Sequence, residues 1–333
     1  MKWDIDETTG VMWIAGEGAK SLCFSMKEKL GINFTSCLAY TLNNNFKWCT
    51  LESENKKIGN FLIEKFKNKN FTKKYSFGYK EFYKKTVKKL NSLDKINFSK
   101  ISNNKLFHLL EITNDLYIEN FEWGFIIEPM DFVLPEKINK NLRKFNYNNE
   151  EISDILAIAD TSFLNKETQN LIKIIQKNSN QENSLKKHAY KYRWMQSAHM
   201  GRIDIPIIFF SKRIEEFNEK DHQKELNKLK NFEKIIKSAK EKILKNKPVD
   251  KKTVELIKIS EFIAHFHDMR KELFLRVLYT IETIRDEIAK RFDYTKDQLS
   301  VFEVKDILKL QSGEKLDKNF ADSMSEEGLL YVD

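Results

Sequence analysis

Ile259-Ser260-Glu261-Phe262-Ile263-Ala264-His265-Phe266-His267-Asp268-Met269-Arg270-Lys271-Glu272-Leu273 is the stretch whose period decides the fold. Ile259, Phe262, Phe266, Met269 and Leu273 recur at steps of three and four, and the stripe continues through Val277, Ile281, Ile284 and Ile288. Such spacing puts the apolar residues on one side of an α-helix, here about residues 254–291, and that side must be covered by partner helices. A charged turn, Asp268 to Glu272, sits in its middle. Exposed, these charges would form a solvated i,i+4 lattice. Partly buried, Arg270 would pair with an acid on another helix, within an ion-pair network of Asp268, Lys271 and Glu272.

The helical period extends in both directions. Downstream, Thr295 and Gln298 form a capping-box pair that opens a helix ending at Gly313. Upstream, Ile58, Phe61, Leu62 and Phe66 make one stripe, and Tyr79, Phe82, Tyr83, Val87 and Leu90 another. Residues 102–105 open a helix that runs to about Phe125 and breaks before Pro129, because a residue preceding Pro disfavours helical ψ. Weaker helices are expected over 135–144 and 150–159, and Asn165 caps one through Ile175. Residues 178–183 read as a polar link and 201–206 as a loop, with a Lys-rich helix then running to Pro248. The first 50 residues are the least helical. Residues 10–15 (GVMWIA) and 46–50 (FKWCT) are expected to pair as a small β element, around a helix over 16–30 closed by Gly31. The reading is a mainly α fold: a multi-helix bundle of long packed helices over 52–333, with a mixed segment, 1–51, packed on it.

Composition agrees. With 10 Gly and 4 Pro in 333 residues, the chain lacks the turn residues that sandwiches and doubly wound folds require. Hydrophobic residues at 41% suffice for a core, which argues against disorder. No run approaches the roughly 18 apolar residues of a membrane span, and the N-terminus has no signal-peptide pattern. Cys23, Cys37 and Cys49 are too widely spaced for a zinc motif and odd in number; reduced thiols in a cytoplasm, two of them small core residues, are expected. The net charge of +9 is uneven: residues 56–105 hold 15 Lys against 3 acids, and 220–252 hold 12 Lys against 5. Such stretches suit a nucleic-acid-binding face, but Arg, the better reader of phosphate, is scarce in both. Exposed helix faces rich in Lys are the plainer reading.

The glycine inventory excludes a Walker loop, a dinucleotide fingerprint and a nucleophile elbow; Gly16-Glu17-Gly18 lacks the third Gly and the Lys-Ser/Thr pair of a phosphate loop. His265 and His267, two apart on a helix, point about 200° apart and cannot share an ion. His188 and His199 have no acid or Cys at ligand spacing, so no metal site is expected. The run His188-Ala189-Tyr190-Lys191-Tyr192-Arg193-Trp194 concentrates aromatics with polar handles. It is either a core helix or one wall of a pocket. In the pocket reading, His188, Tyr192 and Trp194 line it and Arg270 reaches across from the long helix to orient a small polar or anionic ligand.

The ordered set His188, Tyr192 and Trp194, then Asp268, Arg270, Lys271 and Glu272, then residues 287–292 (EIAKRF), resembles the central helical region of phosphoenolpyruvate-utilising phosphotransferases. The relatives in view are phosphoenolpyruvate synthase-like proteins and rifampicin phosphotransferase. Ser162, Phe163, Glu167 and Leu171 upstream, and residues 305–308 (KDIL) downstream, belong to the same resemblance, which spans roughly residues 40–333. In that family the region lies between an ATP-grasp domain and a swivelling phosphohistidine domain. These would precede Met1 and follow Tyr331, and none of the six histidines sits in a Thr-Ser-His-type phosphoacceptor motif. The resemblance therefore implies a module that is not catalytic alone: it binds the acceptor and docks the swivelling domain. ATP and Mg2+ would be bound only by ATP-grasp and phosphohistidine partners, in trans or in a longer parent chain. A basic nucleic-acid-binding protein and a helical scaffold without a small-molecule site are the alternatives.

Overall fold

The computed structural model describes residues 2–8, 11–42, 45–158, 162–177, 181–197, 201–218 and 221–333. Strand β1 (Trp3–Thr8) leads to helix α1 (Met12–Lys20), a π-type turn (Ser21–Ser25) and α2 (Met26–Leu30). Strands β2 (Cys37–Leu42) and β3 (Asn45–Leu51) follow, then α3 (Glu52–Lys67), α4 (Lys69–Leu93), α5 (Asn103–Gly124), α6 (Ile127–Arg143) and α7 (Asn149–Leu156). After α8 (Phe163–Lys177), α9 (Gln181–Tyr192), α10 (Ile207–Asn218) and α11 (His222–Asn246) comes the long helix α12 (Lys251–Phe292). Three short helices, α13 (Lys296–Ser300), α14 (Val304–Ile307) and α15 (Lys318–Glu326), precede strand β4 (Glu327–Val332). The mainly α architecture is the one the sequence predicts.

Helix α12 is its axis. The Asp250 carboxylate accepts from the Thr253 N–H at 2.6 Å and caps the start, satisfying a donor that has no partner inside the helix. Asp293, left-handed at φ 59°, closes the end. Ile259, Phe266, Leu273, Val277, Ile281, Ile284 and Ile288 are all buried, against α5 and α6 above all, with α3, α4 and α7 also in contact. The close seating of α3 on α6 depends on Gly59, where a Cβ would overlap the Pro129 carbonyl. A second apolar cluster, including Phe163, Leu171, Tyr192, Trp194, Phe210 and Leu275, sits under α8, α9 and α10.

The sheet is antiparallel with the order β1-β3-β2-β4, so the first and last strands of the described chain form its two opposite edges. Cys37 faces Thr50 on one side and Val332 on the other. Of the expected strand over residues 10–15, Met12 to Ala15 instead open α1, and Gly10 lies outside the described residues. A short apolar run is ambiguous between buried strand and buried helix, and here Met12 to Gly18 are buried in α1 against both sheet and helices. Gly16 and Gly18 thus lie inside a helix, where the first leaves room for the Glu303 carboxylate. Residues 46–50 are a strand, but their partners are β1 and β2. All three cysteines are free and buried.

Other boundaries shift for local reasons. Helix α5 opens with Ser102 Oγ accepting from the Lys105 N–H and ends at Gly124 with Phe125 as its cap, as expected. Pro129 lies in the first turn of α6, where a missing N–H costs nothing. The cap of α8 is Ser162, whose Oγ accepts from Asn165 N–H at 3.1 Å; Asn165 lies inside the helix. From Gln181 the expected link is helical, and residues 178–180 lie outside the described residues. The Lys-rich helix is two, α10 and α11. The capping box of Thr295 and Gln298 forms, yet the helix breaks before Gly313 into α13, α14 and a 3-10 turn.

Buried charge ties α1 to the far half of α12 and to α14. Trp13 Nε1 donates to Glu282 Oε1 at 2.9 Å, and Arg285 stacks 4.6 Å over the Trp13 ring. Arg285 also donates to the Leu299 and Phe302 carbonyls, and Glu17 accepts from the Val304 N–H. Burial pushes the Glu17 and Glu282 carboxyls above the ordinary range, and Glu303 beside Glu17 adds to its rise.

Candidate functional site

On α12 each residue turns the side chain by about 100°, so positions 267, 270, 271 and 274 share one side while 268, 272, 276 and 279 share another. A cleft opens on each side.

The first, of about 590 Å³, lies between the inner side of β1 and β3, the start of α1, the α5–α6 corner and α12. Its walls are aromatic: Trp48 from the sheet, Phe121 and Phe125 stacked at 16°, and Phe274 from α12. Polar groups converge on this apolar surface. Arg270 Nη1 donates to Glu128 Oε1 of α6 at 2.6 Å and leans on the Gly124 carbonyl at 3.4 Å. Gly124 makes room for this, since a Cβ there would overlap the Arg270 stem. The inter-helix ion pair of Arg270 therefore exists, while Lys271 lines the same cleft. Burial, with Arg270 next, holds the His267 imidazole below its ordinary pKa. At the opposite wall the Asn55 amide nitrogen donates to Asp4 at 3.0 Å and Thr50 at 2.9 Å. The Asn55 carbonyl oxygen, buried beside the cleft, has no hydrogen-bond partner.

The second cleft, of about 540 Å³, lies between the end of α4, α8, the α9 terminus and α12. Tyr192, Trp194 and Glu272 line it, with Arg193, Arg276, Lys166 and Lys191. Tyr192 accepts from Asn170 at 2.6 Å, and Trp194 donates to the Lys191 carbonyl at 2.9 Å. Its ring lies 5.5 Å from Phe163.

The four residues expected to share a pocket therefore do not. His188, Tyr192 and Trp194 come together, but Arg270 lines the other cleft. His188 is not a wall of either: its Nε2 lies 2.7 Å from Glu167 Oε1 in the second core, and Arg213 pairs with the other carboxylate oxygen. The charged turn is divided too. Asp268 accepts from the Phe163 N–H at 2.9 Å, at the start of α8, and Glu272 faces Arg276 at 3.9 Å. Trp48, Asn55, Glu128 and His267 escape sequence reading because they come from four separate elements. Arg276 had a signal, four residues beyond Glu272 on the same side. No group of three or more His, Cys, Asp or Glu side chains among the described residues is placed to hold a metal; His199 lies outside them. No helix among those residues is long and apolar enough to cross a membrane. No family model, curated protein or solved structure matches the chain.

Proposed function

We propose that this chain is the acceptor-binding central module of a phosphoenolpyruvate synthase-like phosphotransferase, and that the acceptor sits in the cleft beside Arg270. The observation that carries the reading is that cleft: an apolar, aromatic-walled space of ligand size with a clamped guanidinium on one wall and a buried amide on the other. Aromatic walls exclude water, and a few fixed polar groups give orientation. An arginine held by Glu128 and a backbone carbonyl keeps its remaining donors aimed, which suits a carboxylate or other oxygen pair on the ligand.

The resemblance gains support from packing. Its scattered positions touch: Phe163 with Asp268 and Trp194, and Glu167 with His188. In this reading ATP and Mg2+ belong to ATP-grasp and phosphohistidine partners, which supply bond-breaking chemistry while this chain binds, orients and shields the acceptor. Reconstitution tests it. Added to such partner domains lacking their own central region, with ATP, Mg2+ and an acceptor panel, the chain should restore acceptor-dependent consumption of ATP. Consumption indifferent to the chain would overturn the proposal.

A further inference from the structure

The second cleft is lined by four cations, Lys166, Lys191, Arg193 and Arg276, against two acids, Asp94 and Glu272. The two arginines are held differently. Arg193 is satisfied: it stacks 3.8 Å over the Tyr190 ring, donates to the Tyr190 carbonyl and pairs with Asp94 at 2.6 Å. Arg276 is under-compensated. Its Nη2 donates to a neutral acceptor, Asn91 Oδ1, at 2.7 Å. Its acid, Glu272, stands off at 3.9 Å and is shared with the Tyr83 phenol. Yet the Arg276 side chain is only 14% exposed, so water does little to neutralise it. Lys166 and Lys191 are exposed, and among the described residues neither forms an ion pair with an acid. Lys191 does lie 4.9 Å over the Tyr192 ring and Arg276 5.9 Å over the Trp194 ring, contacts that leave their charge uncompensated by any acid at close range. A largely buried guanidinium with spare donors and two ammonium groups without an acid partner on one cleft is an anion site in charge and geometry.

We propose that the cleft bounded by α8, α9 and α12 binds a phosphate group, as the free dianion or on a small phosphomonoester, with Arg276, Lys166 and Lys191 as its ligands. Two negative charges match the net excess of the lining, where a monocarboxylate would leave one cation uncompensated. The arginine fork takes an oxygen pair and the lysines act as mobile point charges on the third oxygen. The site is independent of the acceptor reading: it shares α12 with the first cleft but none of its lining residues.

The test is a ³¹P NMR titration of the full chain at low ionic strength, with inorganic phosphate and phenyl phosphate as probes and benzoate as the competing monoanion. Saturable binding of at least one phosphate is expected, tighter than that of benzoate. Arg276→Gln should weaken it by about tenfold or more, the worth of one charge-assisted contact. The exposed pair Lys166→Gln/Lys191→Gln should weaken it as well, and decides the matter if Arg276→Gln fails to fold. Lys73→Gln/Lys80→Gln, on the exposed basic side of α4, should leave it within about twofold, as a control for general charge. Equal affinity of the two phosphates identifies the free ion as sufficient, and preference for phenyl phosphate identifies an organic ester. Absence of saturable binding, equal binding of benzoate, or equal loss in the α4 variant would overturn the proposal.

Discussion

Glu167 and His188 meet at 2.7 Å in the interior of the second core, with the Glu167 side chain fully shielded from solvent. The other carboxylate oxygen is taken by Arg213, and the imidazole packs on Tyr192 and Phe210. Removing the imidazole leaves Glu167 paired with Arg213 but with one buried oxygen unsatisfied. His188→Ala should therefore cost about 1–3 kcal/mol, read by chemical denaturation, without changing ligand binding in either cleft. A loss of ligand response at unchanged stability would make His188 a binding residue instead.

Gly59 fixes the distance between α3 and α6. Its missing Cβ is what lets the Pro129 backbone approach, and backbone cannot rotate away as a side chain can. Gly59→Ala should destabilise by about 1–3 kcal/mol despite the better helix propensity of Ala. A stability equal to or above the parent's would show that the two helices can separate freely.

Helical period made most of this fold readable. The stripe beginning at Ile259 predicts a helix over 254–291, and α12 spans Lys251–Phe292, because regular spacing is a local property. Of the sheet only the strand over 46–50 is readable: β4 is six residues long, and Val332 finds its partner at Cys37, a pairing that no local pattern encodes. The site is less legible for a related reason. Chemistry alone groups Arg270 with Trp194, but which side of α12 faces which neighbour depends on the packing of α5, α6 and α8. At 100° per residue, Arg270 and Arg276 point to different clefts.

Glu17 and Glu282 set the sign of one pH dependence. Both carboxyls are held above their ordinary value of 4.5, chiefly by burial. Between that value and the raised one, the folded protein binds more protons than the unfolded chain, so stability falls as pH rises through this window. The contribution is complete below 4.5 and lost above the raised values. Glu17→Gln should flatten the slope in a series of denaturation curves across mildly acidic pH. An unchanged slope would mean that its carboxyl titrates as it does in the unfolded chain.

Gly124 offers a way to disturb the first cleft without touching a polar group. A methyl group there would overlap the Cγ and Cδ of Arg270, forcing the guanidinium out of its clamp. Gly124→Ala should weaken ligand binding in that cleft by about tenfold, the worth of one charge-assisted contact, while leaving phosphate binding in the second cleft unchanged. Equal loss at both sites would indicate a general disturbance of α12.

The most direct measurement is ligand-induced thermal stabilisation of the parent chain and Arg270→Gln, screened with amino acids, nucleosides, sugars and keto acids. The Arg270 partner, Glu128, is 41% exposed, so its carboxylate can be hydrated when the arginine is gone and the variant should stay folded. The account predicts that a member of the panel stabilises the parent and that Arg270→Gln loses this response at nearly unchanged intrinsic stability. A parent that responds to no compound, or a variant that responds as the parent does, would contradict it.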